Sequence, residues 1–325
     1  MTPPDLPAAL RLAVEAKLQG VSRADMAPRA AAISSAYRDG GNSRTIVSED
    51  DALAYALVRM PATYAAVSAS LNALVALRPD FAPKSLLDVG AGPGTATWAA
   101  AEALSSLHSF VLLDNNAALR ALALDLARHT RRLEAITYLH GNACELLSTA
   151  EPADLVIASY LIGEMGEAER RALAERLWAK ASDTLLVIEP GTPSGYTRII
   201  SLREQLIACG AHVAAPCPHD RPCPLATPDW CHFSQRLPRL RAHMQVKSVE
   251  LPFEDEKFSY VVLTRVPPAQ RFSRLLAEPT VSKAEVTAKL CTSHGLEIAK
   301  VPRRNKTAYA TARRWRWGDL ATDES

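Results

Sequence analysis

The sequence has no unbroken apolar run of the roughly 18 residues that a membrane span needs, so no membrane partner is expected. It also lacks a secretory signal's basic start and continuous apolar stretch: Arg11 and Glu15 interrupt Leu6 to Ala16. Acidic Asp5, Glu15 and Asp25 argue against an organelle transit peptide, so the expected address is cytoplasmic. Charge bias is nearly absent. The 37 Lys and Arg against 35 Asp and Glu leave +2 over 325 residues, which neither demands nor excludes nucleic acid. Internal repeats are absent, and nothing signals a symmetric interface, so a monomer is expected. What remains is ordinary globular material, 48% hydrophobic and 22% charged, which excludes a disordered tail, a collagen-like fibre and a disulfide miniprotein. The length suffices for a sizeable core. Six cysteines in a reducing compartment suggest ligands or core residues before disulfides.

Residues 1–80 read as an N-terminal helical region, with apolar positions at helical spacing in Leu53, Ala56, Leu57 and Met60. Pro61 suits the first turn of a new helix. Over 81–210 short β-prone runs alternate with helical stretches. The runs are Ser85–Val89, Phe110–Leu113, Ile136–Leu139, Leu155–Ala158 and Leu185–Ile188. That alternation predicts an α/β fold, a parallel Rossmann-like sheet with helices on both faces. Residues 211–245 form a Cys- and Pro-rich insertion. Residues 246–301 read as C-terminal strands, beginning with a hairpin of Gln245–Pro252 and Lys257–Thr264 around Glu254–Glu256. Residues 302–325 read as a basic tail.

The first run ends in Asp88-Val-Gly-Ala-Gly-Pro-Gly94, and a helix follows. Gly90, Gly92 and Gly94 permit a tight turn and close ligand approach, and the helix start offers free N–H groups. The spacing differs from the dinucleotide fingerprint G-x-G-x-x-G. An acid two residues before the first glycine would repel pyrophosphate but pair with an ammonium group, such as that of S-adenosylmethionine. The pattern resembles motif I of class I methyltransferases. That resemblance implies a ribose contact for Asp114, adenine contacts for Asn142 and Ala143, and a place for Ser159 in the same cofactor pocket.

Cys217, Cys223, Cys231 and Cys291 lie outside the alternating part, the first three spaced C-x5-C-x7-C. Paired C-x2-C units of zinc ribbons are missing. Four thiolates suit zinc or an iron–sulfur cluster, and spacing does not choose between them. His219 and His232 are substitute zinc ligands. Cys144 and Cys209, in apolar helical contexts, are expected in the core. Arg236, Arg239 and Arg241 follow the insertion. Arg303, Arg304, Lys306, Arg313, Arg314 and Arg316 close the chain, interleaved with Tyr309, Trp315 and Trp317. Arginine with aromatics suits phosphate and base contacts.

Six stretches together resemble one family: Ala54–Tyr64, Leu86–Trp98, Ser159–Glu164, Ile188–Gly191, the cysteine segment running into Trp230–Phe233, and Arg313–Asp319. They resemble the Rsm-type, methyltransferase-like proteins that act in small-ribosomal-subunit assembly. The resemblance implies a class I methyltransferase fold with a metal-bearing part. It implies a 4Fe-4S cluster on Cys217, Cys223, Cys231 and Cys291, with zinc the alternative. It also implies the small ribosomal subunit and its RNA as partners, which makes the basic residues above RNA-binding candidates.

The acceptor chemistry is thin. Amino-methylating enzymes often carry an Asn/Asp-Pro-Pro-aromatic turn after the fourth strand, where this chain reads Ser159-Tyr-Leu-Ile162. No cysteine nucleophile stands near the fourth or fifth strand. Glu164, Glu189 and Tyr160 are the remaining catalytic candidates. Three readings follow: a methyltransferase acting on small-subunit RNA, a non-catalytic assembly factor with the same fold and a structural cluster, and a small-molecule methyltransferase with structural zinc.

Overall fold

Each of the five β-prone runs forms a strand. They are β1 (Ser85–Val89), β2 (Ser109–Asp114), β3 (Thr137–His140), β4 (Ala153–Ser159) and β5 (Ala181–Pro190). Strands β1, β2, β4 and β5 are apolar enough to be largely buried, whereas β3, at the sheet edge, buries only Tyr138. The computed structural model describes residues 2–38, 43–247 and 249–321. Helices lie ahead of and between these strands: α1 (Ala8–Lys17), α2 (Arg23–Arg38), α3 (Glu49–Val58), α4 (Met60–Leu77), α5 (Thr95–Ala103), α6 (Ala117–Ala127), α7 (Ala143–Thr149) and α8 (Glu167–Lys180). After β5 come α9 (Pro193–Ala208), β6 (His212–Ala215), β7 (Phe233–Pro238), α10 (Arg241–Lys247) and β8 (Phe253–Thr264).

The main sheet runs β3-β2-β1-β4-β5-β8-β6. Strands β1 to β5 are parallel, and β8 is antiparallel to both β5 and β6. This is the sheet of a class I methyltransferase, with one reversed strand inserted near the edge. The order reverses between β2, β1 and β4, so the ligand crevice lies at the carboxyl ends of those strands.

Pro61 starts α4, whose first turn needs no donor from it. That helix has the length and mean hydropathy (1.3) of a membrane span, but 67% of it is buried in this fold. Ser48 caps α3 through a reciprocal box with Asp51.

The hairpin expected at 245–264 does not form. Residues Arg241–Lys247 are helical, and β8 is one continuous strand through Glu254, Asp255 and Glu256. Basic neighbours on and beside β7 neutralise the acids: Arg236 lies opposite Asp255 in register, and Arg239 meets Glu254. Cross-strand charge pairing thus makes a strand of a segment with turn-like composition.

A second sheet follows, of β9 (Ser273–Leu275), β10 (Thr280–Val281), β11 (Glu285–Thr292), β12 (Gly295–Pro302) and β13 (Leu320–Ala321). Strand β11 is its spine, pairing with β12 throughout, with β10 at one end and with β9 at the other. The stretch expected as a basic tail is folded within its described part. It forms α11 (Lys306–Ala312) and then β13 on β9. Ala321 and Ala312 are buried, and Ala321 packs with Leu275, Ala288 and Leu290. Residues 322–325 lie outside the described residues.

Candidate cofactor pocket and cysteine cavity

Strand β1 delivers Asp88 to the crevice with no exposed surface. One carboxylate oxygen accepts the Thr97 amide at 3.1 Å and its hydroxyl at 2.8 Å. The other, Oδ1, has no hydrogen-bond partner. Burial pushes this carboxyl up to about 7. Gly90, Gly92 and Gly94 all have positive φ (71°, 53° and 77°), so the loop needs its glycines for backbone reasons. A Cβ on Gly90 would also sit 2.8 Å from Leu161 Cδ1.

Asp114, closing β2, accepts the Gly92 amide at 2.9 Å and the Asn116 amide at 2.7 Å. The Tyr138 hydroxyl donates to the Gly92 carbonyl at 2.7 Å. The loop is therefore held from β2 and from β3 beyond it. Asn142 is the N-cap of α7, accepting the amides of Cys144 and Glu145, and Ala143 opens that helix. Ser159 ends β4 half-buried.

Tyr160 follows with φ of 57°, the one left-handed non-glycine among the described residues. Such strain is held only where the surroundings over-determine it. Here the Tyr160 amide donates to the Ile188 carbonyl at 2.8 Å, and its hydroxyl donates to Glu256 at 2.8 Å. Arg59 lies beside the ring and Glu256. Burial pushes Glu164 up to about 7, with Asp114 adding to it. Glu189 has no exposed surface and is tied to Arg198 at 2.8 Å and to the Gly163 amide at 3.3 Å.

The four cysteines outside the sheet converge. Cys217, Cys223, Cys231 and Cys291 line one small cavity between α9, the insertion and the second sheet. Burial raises the thiols of Cys217, Cys231 and Cys291, the last to about 12, and the neighbouring cysteines raise them further. The Tyr196 hydroxyl donates to Cys223 Sγ at 3.2 Å. Cys291 Sγ and His219 Nε2 are 3.8 Å apart.

Among the described residues, no group of three or more His, Cys, Asp or Glu is set to hold a single ion. Zinc draws its sulfurs in to about 2.3 Å from one centre. His232 is committed elsewhere, stacked on Trp230 and edge-on to Trp317. Cys209, expected in the core, is exposed at the end of α9 because its turn leaves the sheet there; Cys144 is half-buried.

Of the basic candidates, Arg236 and Arg239 are engaged by Asp255 and Glu254, and Arg316 by Glu278. Arg241, Arg303, Arg304, Lys306, Arg313 and Arg314 are exposed, with no ion pair among the described residues.

Sequence reasoning missed two groups. Gly195 is one: its Cβ would lie 2.0 Å from the Pro190 carbonyl oxygen. The buried arginines Arg203 and Arg274 of the cysteine cavity are the other. A lone arginine in a helical or strand segment carries no signal of burial.

The sheet order and the glycine loop define a methyltransferase-like protein of class I fold. The chain belongs to the Rsm22 family, described as mitochondrial small ribosomal subunit Rsm22, which matches residues 49–322. It is similar to the human mitochondrial ribosome assembly protein METTL17, with 30% identity over 293 residues, 84% of this chain and 63% of that protein. It is also similar to the Rsm22-cox11 tandem protein 2 of Schizosaccharomyces pombe, mitochondrial, with 25% identity, 89% of this chain and 45% of that protein. The chain thus spans less than two thirds of these relatives' length. Similar solved structures include the magnesium protoporphyrin IX methyltransferase of Synechocystis with bound S-adenosylmethionine. There the TM-score is 0.40 at 15% identity, over 63% of this chain and 80% of that one. Another is the precorrin-6y C5,15-methyltransferase of Geobacter metallireducens, with TM-score 0.39 at 15% identity, over 59% and 85%.

Proposed function

We propose that this protein is a small-ribosomal-subunit assembly factor that binds S-adenosylmethionine and carries a 4Fe-4S cluster. The observation that carries the partner is the exposed set Arg303, Arg304, Lys306, Arg313 and Arg314. These cations have no acid partner among the described residues and lie in and around the α11 segment, against the sheet that supplies Cys291. Surface cations of this density suit ribosomal RNA phosphates, and they fit the roles in the names of the family and the human relative. The compartment follows the subunit served: mitochondrial in the named relatives, cytoplasmic where the ribosome is.

In the cofactor pocket, Asp88 Oδ1 is the free acceptor for an ammonium group, and Asp114 fixes the loop beside the ribose position. Asn142, Ala143 and Ser159 are the candidates for the remaining contacts, those of the adenine. In the cysteine cavity, Cys217, Cys223, Cys231 and Cys291 would hold the cluster, with zinc the alternative. When bound, that group ties the insertion to β11 as a cross-link. Its ligands come from segments about sixty residues apart, and all four thiols are committed, which supports a structural use.

A second reading is methyl transfer to small-subunit RNA, favoured by the complete Asp88 and glycine loop. Against it, the β4 turn carries no amine-orienting motif. Two of the three catalytic candidates are also occupied: Tyr160 by Glu256 and Glu189 by Arg198. The remaining Glu164 is the only one with a raised carboxyl free of an ion pair among the described residues.

The test is methyl transfer from labelled S-adenosylmethionine by protein purified without oxygen. The acceptors are small subunits from cells lacking the gene, beside subunits from normal cells. Tight, salt-sensitive subunit binding without label in either is the expected result. Label entering only the first set establishes the enzyme. Binding to neither subunits nor RNA at any salt overturns both readings in favour of a small-molecule methyltransferase.

A further inference from the structure

Arg203 projects from α9 into the cysteine cavity with 1% of its surface exposed, and Arg274 enters from β9 with 3%. No Asp or Glu lines that cavity, and neither arginine is in an ion pair among the described residues. Their partners are neutral carbonyls. Arg203 Nη2 donates to His219 at 2.7 Å and to Arg221 at 2.8 Å. Arg274 donates to Pro216 at 3.2 Å and to Gly318 at 2.7 Å. Arg203 Nε and Nη1, both buried, have no hydrogen-bond partner.

A buried guanidinium without an anion is one of the costlier arrangements a fold can hold, because its lost hydration is not offset. Two of them in one cavity mark the place of an anion. The candidate seat of negative charge on its lining is the set of four cysteine sulfurs, which a bound metal would hold as thiolates. Four thiolates around a doubly charged cluster core, or around one zinc ion, leave a net dianion, which two guanidiniums match.

We propose that Arg203 and Arg274 are the built-in counter-charges of the four-thiolate centre, and that the two free N–H groups of Arg203 donate to its sulfurs. This rests on the metal-centre reading above. Arg203 is a positioning residue: Nη2 is anchored by the backbone of the insertion, which leaves the rest of the fork for the centre. Hydrogen bonds to sulfur and local charge are the means by which a protein sets such a centre's potential.

The experiment compares the full-length protein with its Arg203→Met, Arg203→Lys and Arg274→Met variants, purified without oxygen. Iron, sulfide and zinc per chain are measured first, then metal release to a chelator, the melting temperature with and without metal, and the midpoint potential. In Arg203→Met, release is expected to be at least tenfold faster. Reduction is expected to be at least tenfold less favourable, about 59 mV more negative for one electron. The metal-loaded variant melts lower than the parent, whereas the metal-free variant melts at or above it, since an uncompensated charge has gone. Arg203→Lys, which keeps charge but loses the fork, falls between. A parent chain that holds neither iron nor zinc overturns the metal-centre reading and this inference with it. A loaded parent with unchanged release in both Arg203 variants overturns this inference alone, as does equal destabilisation of metal-free and loaded Arg203→Met. Stoichiometric zinc removes the potential as a readout and leaves release and melting to decide.

Discussion

The fully buried carboxylate of Glu189 accepts the Nε–H of Arg198 at 2.8 Å, across the turn that joins β5 to α9. The pair also receives the Gly163 amide from the loop after β4. A Cβ on Gly163 would approach Glu189 Oε2 to 2.9 Å and Arg198 Nη2 to 3.0 Å, so the pair and the glycine require each other. Removing one partner of a buried ion pair typically costs about 3–5 kcal/mol. Arg198→Met is expected to lose that order of stability, and Glu189→Gln with Arg198→Met to recover part of it, in denaturant unfolding. The sign with pH follows from the carboxyl, which burial raises and Arg198 lowers. A raised carboxyl stabilises below its unfolded value and loses that contribution as pH rises through its folded value. Without Arg198 it rises further, so the variant's deficit is larger at pH 8 than at pH 5. An equal deficit at both would contradict the assignment.

Asp88 gives a second pH dependence. Its carboxyl is pushed up to about 7 from a usual 3.8. The ligand-free protein should therefore lose stability as pH rises from about 4 to 7, by up to about 4 kcal/mol at roughly 1.36 kcal/mol per unit. Asp88→Asn removes that decline. An ammonium ligand favours the carboxylate, so S-adenosylmethionine affinity is expected to climb over the same range. Asp88→Asn flattens the climb and weakens binding tenfold or more, the scale of a charged hydrogen bond of about 1.5–3 kcal/mol. Calorimetric titration at several pH values reads both.

The three loop glycines are not equivalent. Gly92 has φ of 53° and only Leu119 near its Cβ position, at 3.7 Å. Gly92→Ala is expected to cost about 1–2 kcal/mol, the ordinary left-handed penalty. Gly90→Ala adds a collision with Leu161 and should cost about 1–3 kcal/mol more. Shortening that neighbour in Gly90→Ala with Leu161→Ala should regain part of the extra loss. Denaturant midpoints of the three variants rank them.

The basic candidates divide by their partners. Replacing Arg303, Arg304, Arg313 and Arg314 with glutamine should weaken RNA and subunit binding. It should flatten the salt dependence by about one unit of slope for each phosphate that is no longer neutralised. Arg236→Gln, whose partner Asp255 is already in place at 2.8 Å, should leave the slope nearly unchanged. Equal slopes for the two sets would remove α11 and its flanks from the interface.

Much of this is legible in residues. The four inner parallel strands announce themselves because strands buried on both faces must be apolar runs, and edge strand β3 by its short β-prone run alone. The glycine loop is visible because positive φ selects glycine. The grouping of the four cysteines is anticipated from the sequence, and their meeting depends on the pairing of β11 with β9, which sets Cys291 opposite Arg274. Strand β8 is hidden because Glu254, Asp255 and Glu256 look like a turn until Arg236 and Arg239 are seen across from them. The closing segment resembles a solvated tail because Leu320 and Ala321 are too few to signal a strand. Arg203 is invisible because nothing local distinguishes a buried arginine from the exposed ones around it.

The separation of Cys291 from the other three thiols has a consequence in time. A growing chain lengthens by about 5–20 residues each second, so the loop bearing Cys217, Cys223 and Cys231 emerges several seconds before its fourth member. It then waits until β11 has found β9 and β12. Through that interval the insertion has three sulfurs, Arg203 of α9 already beside them, and no means of closing, since Arg274 arrives only with β9. On the metal-centre reading, delivery of metal would be postponed until the second sheet exists, and a chain truncated before β11 would lack the fourth ligand. On that reading, loaded protein would be protein whose second sheet has been made and folded.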